Sequence, residues 1–151
     1  MKRATVDTNI FISATFWHGI PQQVITMFET GKATLVLSDA ILAELDRKLR
    51  HKKFAAELAE TGLTVDVIVS SVRAMADLAQ PADVPENAVR DPKDRMILAC
   101  AVGGKADMIV SGDKDLRVLN AYEGIPIVTP AQFLDILKSS SDQLSETPEK
   151  E

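Results

Sequence analysis

The sequence predicts an α/β domain with a mainly parallel central sheet, and three observations predict it. Short apolar runs of strand length recur along the chain, separated by patterns of helical period. One helical segment, MILACAV at Met96 to Val102, is apolar on every side, as expected of a helix buried against a sheet. Hydrophobic residues make up 46% and charged residues 26% of the 151 positions, enough for one sizeable core and one domain.

Taken in order, Ala4 to Val6 is a short strand candidate that ends at Asp7. Pro21 suits the first turn of a helix and Gly31 its end. Thr34 to Leu37, TLVL, is a second strand. Ser38 or Asp39 then caps a helix carrying Ile41, Leu42, Leu45 and Leu49 on one face. Two more helices are expected around Phe54 to Glu60 and Asp66 to Leu78, followed by an irregular stretch bracketed by Pro81, Pro85 and Pro92. Met108 to Val110 and Ile125 to Val128 are the third and fourth strands, and Thr129-Pro130 opens a last helix, AQFLDIL. From Ser139 to Glu151 the chain reads SSSDQLSETPEKE, with Leu144 its one apolar residue. Such a segment buries too little surface to offset its ordering entropy, so a disordered tail after a domain of residues 1–138 is expected.

Composition narrows the function classes. The single Cys100 cannot form an internal bridge, which fits a reducing compartment. No apolar run reaches the ~18 residues of a membrane span, and MKRATVDTN lacks the apolar stretch of a signal peptide, so a cytoplasmic location and no membrane partner are expected. A net charge of −5 argues against binding duplex DNA through one broad basic face. Aromatic residues at 5% argue against a large base-stacking platform.

Chemistry is concentrated in the acids. Ligands of open α/β sheets bind outside the carboxyl ends of the strands. Two expected strands end in an acid there: Val6-Asp7-Thr8-Asn9, and Val110-Ser111-Gly112-Asp113 with Asp115 two residues on. Each acid alone also suits a helix cap or turn. Asp94 is more informative, because at 100° per residue it lies about 60° from Ile97 and about 20° from Ala101, above the buried stripe. It equally suits the third position of a helix capped by Asp91 with Pro92 first, where the dipole favours an acid. A carboxylate aimed inward needs a partner, which a metal ion would supply. Glu44 flanks the apolar face of its helix, and Lys48 at i+4 offers a surface pair worth only about 0.2–0.5 kcal/mol. His18 and His51 fall in no metal-ligand pattern, Cys100 belongs to the buried helix, and Gly103-Gly104 marks a helix stop. Neither a GxSxG elbow nor a Walker A loop is present.

The segments V-D-T-N (Val6 to Asn9), S-D-A-I-L-A-E-L (Ser38 to Leu45), D-P-K-D-R-M-I-L-A (Asp91 to Ala99) and I-V-S-G-D-K-D-L (Ile109 to Leu116) resemble the motifs of PIN-domain ribonucleases, in that family's order and at its spacing. The resemblance covers essentially residues 1–138 and is greatest to bacterial members described as toxins of toxin–antitoxin systems, the VapC-like ribonucleases. It implies a three-layer α/β/α domain with a central parallel sheet, and an acidic pocket that binds Mg²⁺ or Mn²⁺ and cuts single-stranded RNA. Asp7, Glu44, Asp94 and Asp113 match the family's four main acids. Asp115 matches a less regular extra acid and Asp91 a frequent neighbour of the third. Asn9 and Ser111 match polar residues that support the pocket. The resemblance also implies a homodimer and a cognate antitoxin protein.

The acid count fits the implied chemistry. Mg²⁺ prefers oxygen ligands and keeps several waters. Two divalent ions ~4 Å apart can hold the attacking water and leaving oxygen of an in-line displacement without a histidine base. Asp7, Asp94 and Asp113 are the expected ligands, and Glu44 a ligand or water orienter. An RNA backbone needs cations nearby, and Arg47, Lys48, Arg50, Lys52 and Lys53 follow Glu44 directly, while Lys93, Arg95, Lys114 and Arg117 flank the other acids. A solvated helix end is the competing reading of the 47–53 run. Two other functions compete with the nuclease. A catalytically inert PIN-fold module would bind RNA or protein without cutting, which an RNA cleavage assay with and without EDTA separates. An aspartate-nucleophile phosphatase would use Asp7, but its DxD pattern lacks the second acid in Asp7-Thr8-Asn9.

Overall fold

A computed structural model describes the backbone of residues 1–149 and side chains through Ser139. Strand β1 (Arg3–Val6) leads into α1 (Thr8–Phe16) and α2 (Ile20–Glu29), then β2 (Thr34–Leu37) and α3 (Asp39–Leu49). A 3₁₀ turn (Lys52–Phe54) precedes α4 (Ala55–Thr61), α5 (Val65–Met75) and β3 (Ala76–Leu78). After the proline-rich stretch come α6 (Pro92–Gly103), β4 (Met108–Val110), α7 (Lys114–Arg117), β5 (Ala121–Tyr122), β6 (Ile125–Val128) and α8 (Pro130–Glu149). Among the described residues, no helix is long and apolar enough to cross a membrane.

The strands form one six-stranded sheet in the order β3-β2-β1-β4-β6-β5. All neighbours are parallel except β5 and β6, an antiparallel pair at one edge. The loop between them is Glu123-Gly124, with φ of 48° and 81°; positive φ at both positions is what a tight two-residue hairpin requires. Every residue of β4 is buried, as are the last three of β1 and of β2. Burial on both faces is the mark of central parallel strands covered by helices, and the layers are α/β/α as expected. Helix α6 packs on β1, β2 and β4, while α1 lies against α2 and α3, and α2 against α8.

The four expected strands are present, and Ser38 is the cap chosen for α3, its Oγ accepting from the Ile41 amide at 3.3 Å. Helix α1 is an addition to the sequence reading. Its β-branched residues Thr8, Ile10, Ile12 and Thr15 weaken helix propensity, and burial of Thr8, Ile10, Phe11 and Ile12 overrides it. The helix expected over Asp66 to Leu78 stops at Met75 instead. Ala76 to Leu78 leaves it as β3, in register with Leu35 to Leu37. A three-residue edge strand has no period of its own, and the hydrogen-bonding groups along the outer side of β2 select it. Helix α8 continues past residue 138, so the backbone of the expected tail is helical as far as Glu149; its side chains from residue 140 lie outside the described residues.

Gly103-Gly104 does end α6, but not by turning left-handed, since the capping Gly104 has φ of −89°. The pair is required by close approach. A Cβ on Gly103 would sit 1.9 Å from the Gln80 carbonyl oxygen, and one on Gly104 would sit 2.4 Å from Val36 Cγ1.

Candidate active site

Where the chain changes direction across the sheet, β1 is followed by β2 on one side while β4 lies on the other. The crevice at the carboxyl ends of β1 and β4 is therefore the expected ligand position of an open parallel sheet. Val6 pairs with Val110, so Asp7 and Ser111 leave their strands side by side. Asp7 caps α1. Its Oδ1 accepts from the Asn9 amide at 3.2 Å, and its Oδ2 accepts from Ser111 Oγ at 2.9 Å. Fully buried Ser111 also accepts at Oγ from the Asp113 amide at 3.0 Å, so one hydroxyl ties the two acidic loops together. Asp113 in turn caps α7, accepting from the Asp115 amide at 2.8 Å.

Asp91 caps α6 as expected, accepting from the Lys93 amide at 2.9 Å, and Pro92 takes the first helical position. Asp94 follows in the first turn, only 4% exposed, and its Oδ2 makes no hydrogen bond among the described residues. Both sequence readings of this residue hold together: it is at once a helix N-terminal acid and an inward-facing carboxylate. Carboxylate oxygens of Asp94, Asp113 and Asp115 lie within 4.8 Å of one another. Asp7 is not part of that trio. It shares with Glu44, Asp91, Asp94 and Asp113 the lining of one cavity of about 150 Å³. Asp115 is the more exposed member of the trio and approaches Arg90 Nη2 at 3.9 Å.

Charge separates the acids. Burial pushes the Asp94 carboxyl up to about 6, helped by the negative charges of Asp113, Asp91, Asp7 and Asp115. Glu44 moves the other way. A hydrogen bond from Arg47 holds its carboxyl below the usual range against a smaller opposing effect of burial, and the charges of Arg47, Lys93 and Lys48 add to the lowering. Arg47 meets Glu44 at 2.5 Å and Lys93 Nζ lies 3.7 Å from it. The Lys48 partner expected from i+4 spacing is engaged elsewhere: its Nζ donates to Thr8 Oγ1 at 2.9 Å and Asn9 Oδ1 at 3.2 Å. Lysine thus bridges α3 to the start of α1, a role for Thr8 and Asn9 that could not be read without α1.

The basic run divides. Arg47 and Lys53 face a second groove next to the acidic cavity, together with Lys48 and Lys93. Arg50 is held by Asp46 at 2.7 Å and Asp66 at 2.6 Å, and exposed Lys52 does not line that groove. Arg95 is committed to the Glu86 carbonyl at 3.0 Å.

A family model described as the PIN domain matches residues 3–115, a span holding all of these acids. The chain belongs to the PIN-domain family. No curated protein matches it. Among solved structures, this PIN domain is similar to the crystal structure of VapBC2 from Rickettsia felis bound to a DNA fragment from their promoter. The TM-score is 0.54 at 14% identity, over 84% of this chain and 98% of that one, a likeness of fold.

Proposed function

We propose that this PIN domain is a divalent-metal-dependent endoribonuclease that cuts single-stranded RNA, using Mg²⁺ or Mn²⁺. The observation that carries the reading is the unpartnered, buried Oδ2 of Asp94 beside the carboxylates of Asp113 and Asp115. A buried carboxylate among like charges is costly, and a hard cation that takes oxygen ligands relieves both costs. Asp94 and Asp113 would hold the ion, with Asp7 across the same cavity and Asp115 beside them. When bound, such an ion lowers the pKa of water and offsets charge on a phosphodiester.

The chain's own residues do the rest. Ser111 keeps Asp7 and Asp113 in place through its single hydroxyl. The N-termini of α1 and α6 point their partial positive charge at Asp7 and Asp94. Glu44 stays ionised beside Arg47 and Lys93 and orients the attacking water or joins the ligands. The water oxygen would bond to phosphorus as the P–O3′ bond breaks, the water losing a proton to solvent and the leaving 3′ oxygen taking one from solvent.

The similar fold in a VapBC2 structure supports a further reading, that the protein is the toxin of a toxin–antitoxin pair restrained by a cognate antitoxin. A homodimer, a cytoplasmic location and a nuclease domain ending near residue 138 belong to the same proposal. The full acid set favours activity over an inert binding module. The family match disfavours the phosphatase reading, and Asp7-Thr8-Asn9 lacks the second acid of its DxD pattern. The test is cleavage of single-stranded RNA in Mg²⁺ or Mn²⁺ against EDTA. Cleavage that is lost in EDTA and in Asp94→Asn is expected; cleavage indifferent to both overturns the reading.

A further inference from the structure

We propose that the groove beside the acidic cavity is a track for single-stranded nucleic acid, in which Trp17 stacks an unpaired base and Lys53 and Lys93 hold the neighbouring phosphates. This rests on the nuclease reading for its substrate, but its evidence is separate.

The groove encloses about 520 Å³ and shares Asn9, Lys48 and Lys93 with the acidic cavity, so a chain lying in it runs on toward the carboxylates. Four cations, Arg47, Lys48, Lys53 and Lys93, line it, and among the described residues no acid does. That is a local inversion of the net charge of −5. Arg47 is committed to Glu44, and Lys48 to Thr8 and Asn9. Lys53 has a different setting, 5.2 Å from the centre of the Phe54 ring, and Lys93 makes only the long contact with Glu44. These two are available to phosphate.

Trp17 supplies the planar surface. It is the sole tryptophan of the chain and 53% exposed, at the end of α1. Phe16 meets it edge-on with ring centres 5.7 Å apart, and Phe16 stacks on Phe54 at 5.2 Å. This aromatic ladder restrains the indole in advance, which lowers the entropy lost when a base stacks on it. Scarce aromatics exclude a broad platform, as the composition implies, but one placed ring is enough for one base. The lining sets the apolar side chains Ile12, Trp17 and Phe54 among cations, a surface that suits a base between phosphates.

With excitation at wavelengths too long for Tyr122 to absorb, the emission of the protein reports Trp17 alone. The full chain, in EDTA to prevent cutting, is titrated with a ten-nucleotide 2′-O-methyl oligouridine and with an abasic strand of equal phosphate number. Quenching of Trp17 by the oligouridine but not by the abasic strand is expected. Trp17→Ala weakens oligouridine binding about 5- to 150-fold, while Trp17→Phe retains most of it. Lys53→Ala lowers the slope of log affinity against log salt by about 0.7. Equal binding of both strands with unchanged emission overturns the track. So does an unchanged affinity in Trp17→Ala, or a Trp17→Ala protein that loses a homodimer while keeping its oligonucleotide affinity. Quenching without any cleavage in Mg²⁺ or Mn²⁺ sinks the nuclease reading and leaves the track; cleavage without quenching does the reverse.

Discussion

Asp94 shows how one residue carries two opposed energies. Its position in the first turn of α6 gains about 0.3–1 kcal/mol from the helix dipole. Its burial among Asp113, Asp91, Asp7 and Asp115 raises its carboxyl from 3.8 to about 6. An acid whose pKa is raised on folding is better tolerated protonated. Stability of the metal-free protein should therefore fall as pH rises from about 4 to about 6, and stay lower above that. A tenfold change in proton affinity is about 1.4 kcal/mol, so the rise from 3.8 to about 6 outweighs the dipole loss, and Asp94→Asn should melt above wild type at pH 7–8. Thermal melts in EDTA across pH check this, and a mutant melting below wild type at pH 7.5 would show that the dipole interaction dominates. Ser111 has the opposite sign. Ser111→Ala removes the donor to Asp7 Oδ2 and the acceptor of the Asp113 amide, both at a fully buried side chain. A cost of about 1–3 kcal/mol is expected, with slower RNA cleavage, read from melts and initial rates.

Elements are set by a mixture of local signals and close contacts. Three of the site acids, Asp7, Asp91 and Asp113, are helix N-caps, so the devices that start α1, α6 and α7 also aim carboxylates at one edge of the sheet. The far end of α6 is governed by space. Gly103→Ala drives a methyl group into the Gln80 carbonyl, which is main chain and cannot swing away. A loss of about 1–3 kcal/mol or more is expected, and a melting temperature equal to wild type would show that the 80–82 segment yields freely. In α8 the described anchors are Phe133, stacked on Phe28 at 5.5 Å, and Leu137. Deleting residues 139–151 keeps both, so the melting temperature should fall by less than ~4 °C, about 1 kcal/mol at this size.

At the scale of the whole molecule, charge is sorted by place. The chain is acidic at −5; five of its 22 acids line one crevice, and four cations line the groove beside it. A ligand that binds only the folded state stabilises it by about 2.7 kcal/mol at a hundred times its dissociation constant. Saturating Mg²⁺ or Mn²⁺ should raise the wild-type melting temperature by several degrees and Asp94→Asn by much less. Equal gains in the two proteins would place the ion elsewhere.

The sequence by itself determined what is encoded within a few neighbouring residues. The four short strands, the Ser38 and Asp91 caps, and the acids at the ends of β1 and β4 were all legible, because apolar period and capping chemistry are local. The tertiary structure decided what depends on contacts far apart in the chain. Ser111 reaches Asp7 across 104 positions, and only the adjacency of β1 and β4 brings them together. Burial made α1 a helix despite its β-branched residues, and β2 drew Ala76 to Leu78 out of α5. Without α1 there was no way to see Lys48 crossing to Thr8 and Asn9, or Trp17 set beside Phe54. Spacing along one helix proposes partners for Glu44, but the lowest free energy goes to whichever cations the packed elements bring close, and those were Arg47 and Lys93.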